Sequence, residues 1–228
     1  MRGARKICGL MTDHIYLFMG IQGSGKGTQA DRLSKDLSIP HISTGDIFRA
    51  VMKEDSPLGD ELRRILNSGA LVPDELTSRM VRERLAKPDA APGFILDGYP
   101  RTQGQVEHLD AMLTEQGRSI HAVFFFDLPE EETVARLEPR RICTRDQSHI
   151  YHLVNKPPKV DGICDIDGAP LKQRDDDKPE AIRKRVEEYK RETLPLLDIY
   201  RARNLVRRID ATLSMDAVTE EVLDIAKE

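Results

Sequence analysis

The stretch Gly20-Ile21-Gln22-Gly23-Ser24-Gly25-Lys26-Gly27-Thr28 decides the fold. An apolar run, 15–19, precedes it and a helix-like segment, 29–37, follows it. Strand, glycine loop, helix is the order of a phosphate-binding loop. Glycines let successive backbone N–H groups turn inward around an anion. The helix N-terminus adds its partial positive charge and Lys26 adds a full one. A tight turn with a solvated lysine would need none of this context. Gly23, Ser24, Gly25, Lys26, Gly27 and Thr28 are therefore expected around the phosphates of a nucleotide. In most nucleotide-hydrolysing proteins the residue after the lysine is a Ser or Thr that touches Mg²⁺. Here Gly27 intervenes and the first hydroxyl is Thr28, so the loop is expected to hold Mg²⁺ less directly.

Other apolar runs, at 94–96, 122–126 and 205–209, read as buried parallel strands, with a shorter candidate at 39–42. Helical patterns cover 24–36, 56–68, 73–86, 103–116, 129–138, 179–203 and 215–227. Pro179 suits the first turn of the longest of these, and Pro195 should kink it. The alternation predicts an α/β fold, a P-loop doubly wound parallel five-stranded sheet with helices on both faces. The segment 140–177 breaks the alternation. It holds Pro157-Pro158, several glycines, two cysteines and the β-forming His149-Ile150-Tyr151-His152-Leu153-Val154. A helix-free segment this long reads as a functional insertion, a β-rich lid. Its charged edges, Arg140-Arg141 and Arg174-Asp175-Asp176-Asp177, suit a polyanionic ligand.

With 228 residues, one domain with insertions is the natural reading. Charged residues make up 32% and hydrophobic ones 39%, which fits a soluble chain with a core. The net charge of −4 argues against general nucleic-acid binding. No apolar run reaches the roughly 20 residues of a membrane span. Residues 1–14 read as a basic N-terminal tail without a signal-peptide core, and Met11 is an alternative start. Three cysteines make no disulfide framework, so a reducing cytoplasm is the default. A monomer is expected.

The motifs beyond the loop are specific. His41-Ile42-Ser43-Thr44-Gly45-Asp46-Ile47-Phe48-Arg49 resembles the acceptor motif of adenylate kinases, among the nucleoside monophosphate kinases. Asp97-Gly98-Tyr99-Pro100-Arg101-Thr102, with Gln105 beyond it, resembles their second signature. Asp176-Asp177 and Arg183-Lys184-Arg185 complete the set, and 140–177 is similar to the long lid of the bacterial type. The resemblance spans nearly the whole chain after the tail. It implies reversible, Mg²⁺-dependent transfer of the ATP γ-phosphoryl group to AMP, giving two ADP. It divides the chain into a core (15–42, 73–139 and 178–228), an AMP-binding insertion (43–72) and a lid (140–177).

By the same resemblance, Lys26, Arg101, Arg140, Arg174 and Arg185 carry catalysis, and Asp97 orients the water shell of Mg²⁺. Arginine suits this work because its planar fork binds phosphate oxygens bidentately and stays charged. Arg136, Arg140, Ile150 and Tyr151 join the loop on the ATP side. Thr44, Arg49, Ala70, Leu71, Val72, Gly98, Tyr99, Pro100, Arg101, Gln105, Arg174 and Arg185 form the AMP side. Gln105 carries amide donors and an acceptor, so it can read the adenine edge. Thr44 could equally serve as the N-cap of a following helix. A pyrimidine monophosphate kinase would have a short lid. A GTPase would need Asn-Lys-x-Asp, and the only Asn-Lys here, Asn155-Lys156, runs into Pro157-Pro158.

The lid carries a second constellation, Cys143, Asp146, His149, Cys164 and Asp167. Thiolate and imidazole donors favour Zn²⁺ or a similar transition metal. Cys143, His149, Cys164 and Asp167 form the expected ligand set. His149 is preferred to Asp146 because neutral imidazole is the better borderline ligand. The alternative is a metal-free lid with buried thiols and a polar network.

Overall fold

A computed structural model of the chain describes residues 14–68, 70–146 and 148–227. The expected tail, including Cys8 and Met11, lies outside the described residues except for His14. The chain opens with β1 (His14–Gly20), α1 (Lys26–Leu37), β2 (His41–Ser43), α2 (Thr44–Met52), α3 (Pro57–Asn67) and α4 (Asp74–Leu85). It continues with β3 (Gly93–Asp97), α5 (Gln103–Glu115), β4 (Ala122–Asp127) and α6 (Glu130–Leu137). A strand group follows, β5 (Arg140–Cys143), β6 (Ile150–His152) and β7 (Leu171–Lys172). The chain ends with α7 (Pro179–Glu188), α8 (Leu196–Ala202), β8 (Val206–Asp210) and α9 (Met215–Ala226).

The main sheet has five parallel strands in the order β2-β3-β1-β4-β8. Side chains alternate across it, so each central strand feeds two cores. Ile15, Leu17, Met19, Phe94, Leu96, Val123 and Phe125 pack on one face with residues of α4, α5 and α8. Tyr16, Phe18, Ile95, Phe124 and Phe126 pack on the other with residues of α1, α7 and α9. Helices on both faces are what the alternating sequence pattern predicts. The carboxyl ends of β1, β2 and β3 come into line through the pairs Phe18↔Asp97 and Ser43↔Asp97. That edge is where this architecture binds ligands.

Two helices differ from expectation. α2 was not among the predicted helices, because its pattern is short. Its cap is Ser43, whose hydroxyl accepts from the Asp46 N–H, so Thr44 is not the N-cap. The long helix predicted over 179–203 is not one kinked rod. It divides into α7, a π-turn at Tyr189–Thr193 and α8. Pro195 has no N–H to donate, and the wider turn leaves the Leu194 N–H bonded to the Tyr189 carbonyl at 2.8 Å. Among the described residues, no helix is long and apolar enough to cross a membrane.

The strands β6-β5-β7 form a separate antiparallel sheet within 140–177. Its buried apolar cluster is small, comprising Cys143, Tyr151, Cys164 and Ala169 with Leu171 against it. Three short strands over so little apolar surface need further ties.

Candidate active site

The glycine loop joins β1 to α1 at the sheet edge. Gly20 has no room for a side chain, since a Cβ there would lie 2.5 Å from the Phe126 carbonyl oxygen. Gly25, at φ 86°, takes the left-handed conformation from which α1 starts. Lys26 turns back over the loop and donates to the carbonyls of Gly20 at 2.6 Å and Ile21 at 2.8 Å. Burial lowers its ammonium to about 8. The pull of Asp97 works the other way, while Arg101, Arg185 and Arg140 push in the same direction as burial. A cation kept in such company gains most by meeting an anion. Ser24 is buried, whereas Thr28 is exposed on the first turn of α1. A Cβ on Gly27 would come 3.6 Å from Asp97 Oδ2, which sets the loop beside that carboxylate.

Asp97 ends β3. Burial alone would raise its carboxyl, but His41, Lys26 and Arg101 outweigh it and hold Asp97 below the usual carboxylate range. His41 is a residue to which the sequence motif gave no role. Its Nδ1 lies 2.7 Å from Asp31 and its Nε2 3.6 Å from Asp97. Burial opposes its charge, yet the two carboxylates raise it to about 9. Beyond Asp97 the chain turns at Gly98, whose carbonyl accepts from Thr44 Oγ1 and from Arg101 Nε, both at 2.9 Å. Thr44 and Arg101 are thereby tied to one peptide group. Thr102 caps α5, and Gln105 in its first turn is 2% exposed.

A cavity of about 260 Å³ opens between α2, α3 and the carboxyl edge of the sheet. Thr44, Arg49, Ala70, Leu71, Val72, Gly98, Arg101, Gln105, Arg174 and Arg185 line it, and so do Ile142 and Lys172 from the separate strand group. A smaller cavity of about 50 Å³ reaches Lys26 and Pro100. Leu71, Gly98, Arg101 and Arg185 border both. The guanidiniums are braced by carboxylates. Arg140 binds the fully buried Asp177 through two hydrogen bonds of 2.8 and 2.6 Å. Arg174 binds Asp176 the same way, and Arg185 reaches the same carboxylate at 3.1 Å. Burial lowers Arg185 to about 10, with Asp176 opposing that fall and Arg174, Arg140 and Arg101 adding to it. Arg101 is likewise lowered, first by burial. This density of positive charge fits a polyanion between α2 and the glycine loop.

Several expected residues lie elsewhere. Tyr99 points into the core, 1% exposed, with its hydroxyl 2.9 Å from Ser78 Oγ. Tyr151 is buried in the small sheet, where its hydroxyl accepts from the Asp165 N–H at 2.7 Å. Neither it nor Ile150 borders the two cavities. Arg136 is engaged by the Ala211 carbonyl and Glu132, on a helix that packs against Gly23.

The second constellation is assembled in space. One donor atom each from Cys143, His149, Cys164 and Asp167 lies within 4.8 Å of all the others. Cys143 Sγ is 3.3 Å from Asp167, Cys164 Sγ is 3.5 Å from His149 Nδ1, and His149 Nδ1 is 3.3 Å from Asp167 Oδ2. Donors bonded tetrahedrally at about 2.0–2.3 Å would stand roughly 3.3–3.8 Å apart, and these three separations lie in that range, so the donor types and these spacings suit such an ion. Asp146 stands outside the cluster, 3.6 Å from the other ring nitrogen of His149. The N–H groups of Arg145 and Asp146 point at Cys143 Sγ from 3.3 and 3.5 Å.

The chain is similar to known proteins over most of its length. A family model described as adenylate kinase matches residues 18–205. An adenylate kinase of Streptomyces avermitilis is 46% identical over 211 residues, covering 92% of this chain and 96% of that protein. Adenylate kinases of Staphylococcus epidermidis and Staphylococcus aureus are each 46% identical over 209 residues, covering 92% of this chain and 97% of theirs.

Proposed function

The chain belongs to the adenylate kinase family, and from that premise we propose how its residues divide the work of a reversible phosphoryl transfer from ATP to AMP. The larger cavity takes AMP, with its base toward Gln105 and Val72 and its phosphate toward Arg49 and Arg101. ATP lies along the glycine loop, with its terminal phosphates at Lys26. The attacking atom is an AMP phosphate oxygen that is already anionic, so no side chain has to remove a proton. What the protein supplies is neutralisation, in-line alignment and exclusion of water. The observation that carries this reading is the shared border of the two cavities. Arg101 and Arg185 face both, where the transferring group would pass.

Mg²⁺ accompanies ATP in this family, and it supplies charge neutralisation between the phosphates. Asp97, kept ionised at the sheet edge, is the residue that would orient its water shell. Residues 140–177 act as a lid that brings Arg140 and Arg174 over the nucleotides, and 43–72 act as the acceptor-binding insertion. Cys143, His149, Cys164 and Asp167 would hold a structural Zn²⁺ or similar ion in that lid, with all four positions filled by protein.

The test is acceptor-specific kinetics. Thr44→Ala combined with Gln105→Leu should raise KM for AMP at least tenfold and leave KM for ATP within about twofold. An unchanged KM for AMP would move the acceptor site elsewhere.

A further inference from the structure

Gln105 is not free to turn its amide. Its Nε2 donates to Asp74 Oδ1 at 2.8 Å, and its Oε1 accepts from the Arg101 N–H at 2.8 Å. Asp74 Oδ2 accepts from Thr102 Oγ1 at 2.6 Å, and the same hydroxyl oxygen accepts from the Gln105 backbone N–H at 3.2 Å. The carboxylate also sits close over Gly104, where a Cβ would come within 2.9 Å of Asp74 Oδ2. Asp74 can only accept and a backbone N–H can only donate, so these partners decide which end of the amide is nitrogen. Reversing the amide would set oxygen against the carboxylate and nitrogen against an N–H. Two buried hydrogen bonds would be lost and two like groups brought together.

With one bond to Asp74 and one to Arg101, the amide keeps one N–H and one carbonyl lone pair for the cavity it borders. A 6-aminopurine offers N1 as acceptor and its exocyclic N–H as donor. A 6-oxopurine offers the reverse, N1–H as donor and O6 as acceptor, and would need the amide turned over.

We propose that Asp74 is a specificity-determining residue, which locks the Gln105 amide in the orientation that accepts 6-aminopurine monophosphates and rejects 6-oxopurine ones. This rests on the reading of the larger cavity as the acceptor site. Discrimination then comes from the unpaired groups a wrong base would leave, and those are costly in a buried site. Asp74 touches neither the base nor the phosphates in this account; it acts through Gln105.

The experiment compares kcat/KM for AMP and IMP, with ATP as donor, in the full-length protein. In Asp74→Asn the side chain keeps its shape but can donate or accept, and it no longer satisfies Thr102 and Gln105 together. The AMP/IMP ratio should fall at least tenfold, while KM for ATP stays within twofold. A purely structural role would lower both acceptors alike and leave the ratio unmoved. Asp74→Ser, whose hydroxyl also serves either way, gives the same measurement if the Asn variant does not fold. A ratio within twofold of wild type in the folded variant overturns the proposal, provided that Gln105→Leu raises KM for AMP. Should Gln105→Leu leave KM for AMP unchanged, the acceptor-site reading fails and this inference falls with it.

Discussion

His41 Nε2 stands 3.6 Å from Asp97 Oδ2, and the imidazole ties the end of β3 to Asp31 on α1. Its folded-state value is raised from 6.5 to about 9. A base raised on folding contributes stability that is fully present below 6.5 and is lost as pH rises through about 9. The shift corresponds to about 3 kcal/mol at 1.36 kcal/mol per unit, and to about 1–2 kcal/mol after screening at the half-exposed Asp31. Urea midpoints should therefore fall between pH 7 and pH 9.5 in wild type, and much less in His41→Gln. Parallel profiles for the two proteins would remove the ion pairs from the account.

Lys26 bears a charge that its surroundings disfavour, as the lowering to about 8 records. Lys26→Met should therefore leave the thermal midpoint equal or higher. Turnover should fall by roughly 10²–10³, the usual loss for one preorganised donor facing developing charge. Arg101→Ala should lose a similar factor. A folded Lys26→Met protein with near-normal turnover would contradict the role proposed for the loop.

Asp177 is fully buried and grips Arg140 at two points. Asp177→Ala leaves a guanidinium without its partner, at a cost of about 2–3 kcal/mol given that Arg140 is partly exposed. In a chain of this size that is a fall of about 5–10 °C in thermal midpoint. Arg140→Met with Asp177→Leu should recover at least half of that fall and none of the activity, because the pair is replaced by apolar contact while the cation proposed to meet the nucleotide phosphates is gone. Recovery of both stability and turnover would make Arg140 structural only.

The parallel sheet was legible because its strands are nearly continuous apolar runs, and Gly20 to Thr28 fixed where the ligand edge lies. What the sequence could not display was pairing at a distance. Thr44 could have been the cap by residue type, but the Ser43 hydroxyl accepts from the Asp46 N–H and Thr44 donates to the Gly98 carbonyl instead. Tyr151 was expected at the ATP side by resemblance alone, and its face of β6 turns into the small cluster with Cys143 and Cys164. Asp74 and His41 carried no local signal that named their partners. Each is an ordinary polar residue until the fold sets Gln105 or Asp97 against it. A cue was available for Asp74, an acidic residue in the first turn after Pro73, but it reads equally as helix-dipole complementation.

The strand group within 140–177, proposed as a lid, offers the sharpest test of chemistry against folding. Among the described residues its apolar cluster is four residues with one flanking leucine, too little to order β5, β6 and β7 alone. Four donors from the hairpins at Cys143 and Cys164 converge within 4.8 Å. Metal binding to such a set is coupled to folding, so a strong chelator should lower the thermal midpoint and act slowly. Turnover at mild temperature should change far less, because the four proposed ligands would leave no open position and the transfer chemistry is proposed for Lys26 and the arginines. Metal content of the purified protein, wild type against Cys143→Ser with Cys164→Ser, measures the premise directly. Wild type should carry about one equivalent of Zn²⁺ or a similar ion and the double variant none. His149→Ala should lose the metal, while Asp146→Ala should keep it with weaker affinity, since that carboxylate meets only the far nitrogen of the ring. Wild type without stoichiometric metal, even after refolding with Zn²⁺, would leave the hydrogen bonds among these four side chains to hold the lid alone.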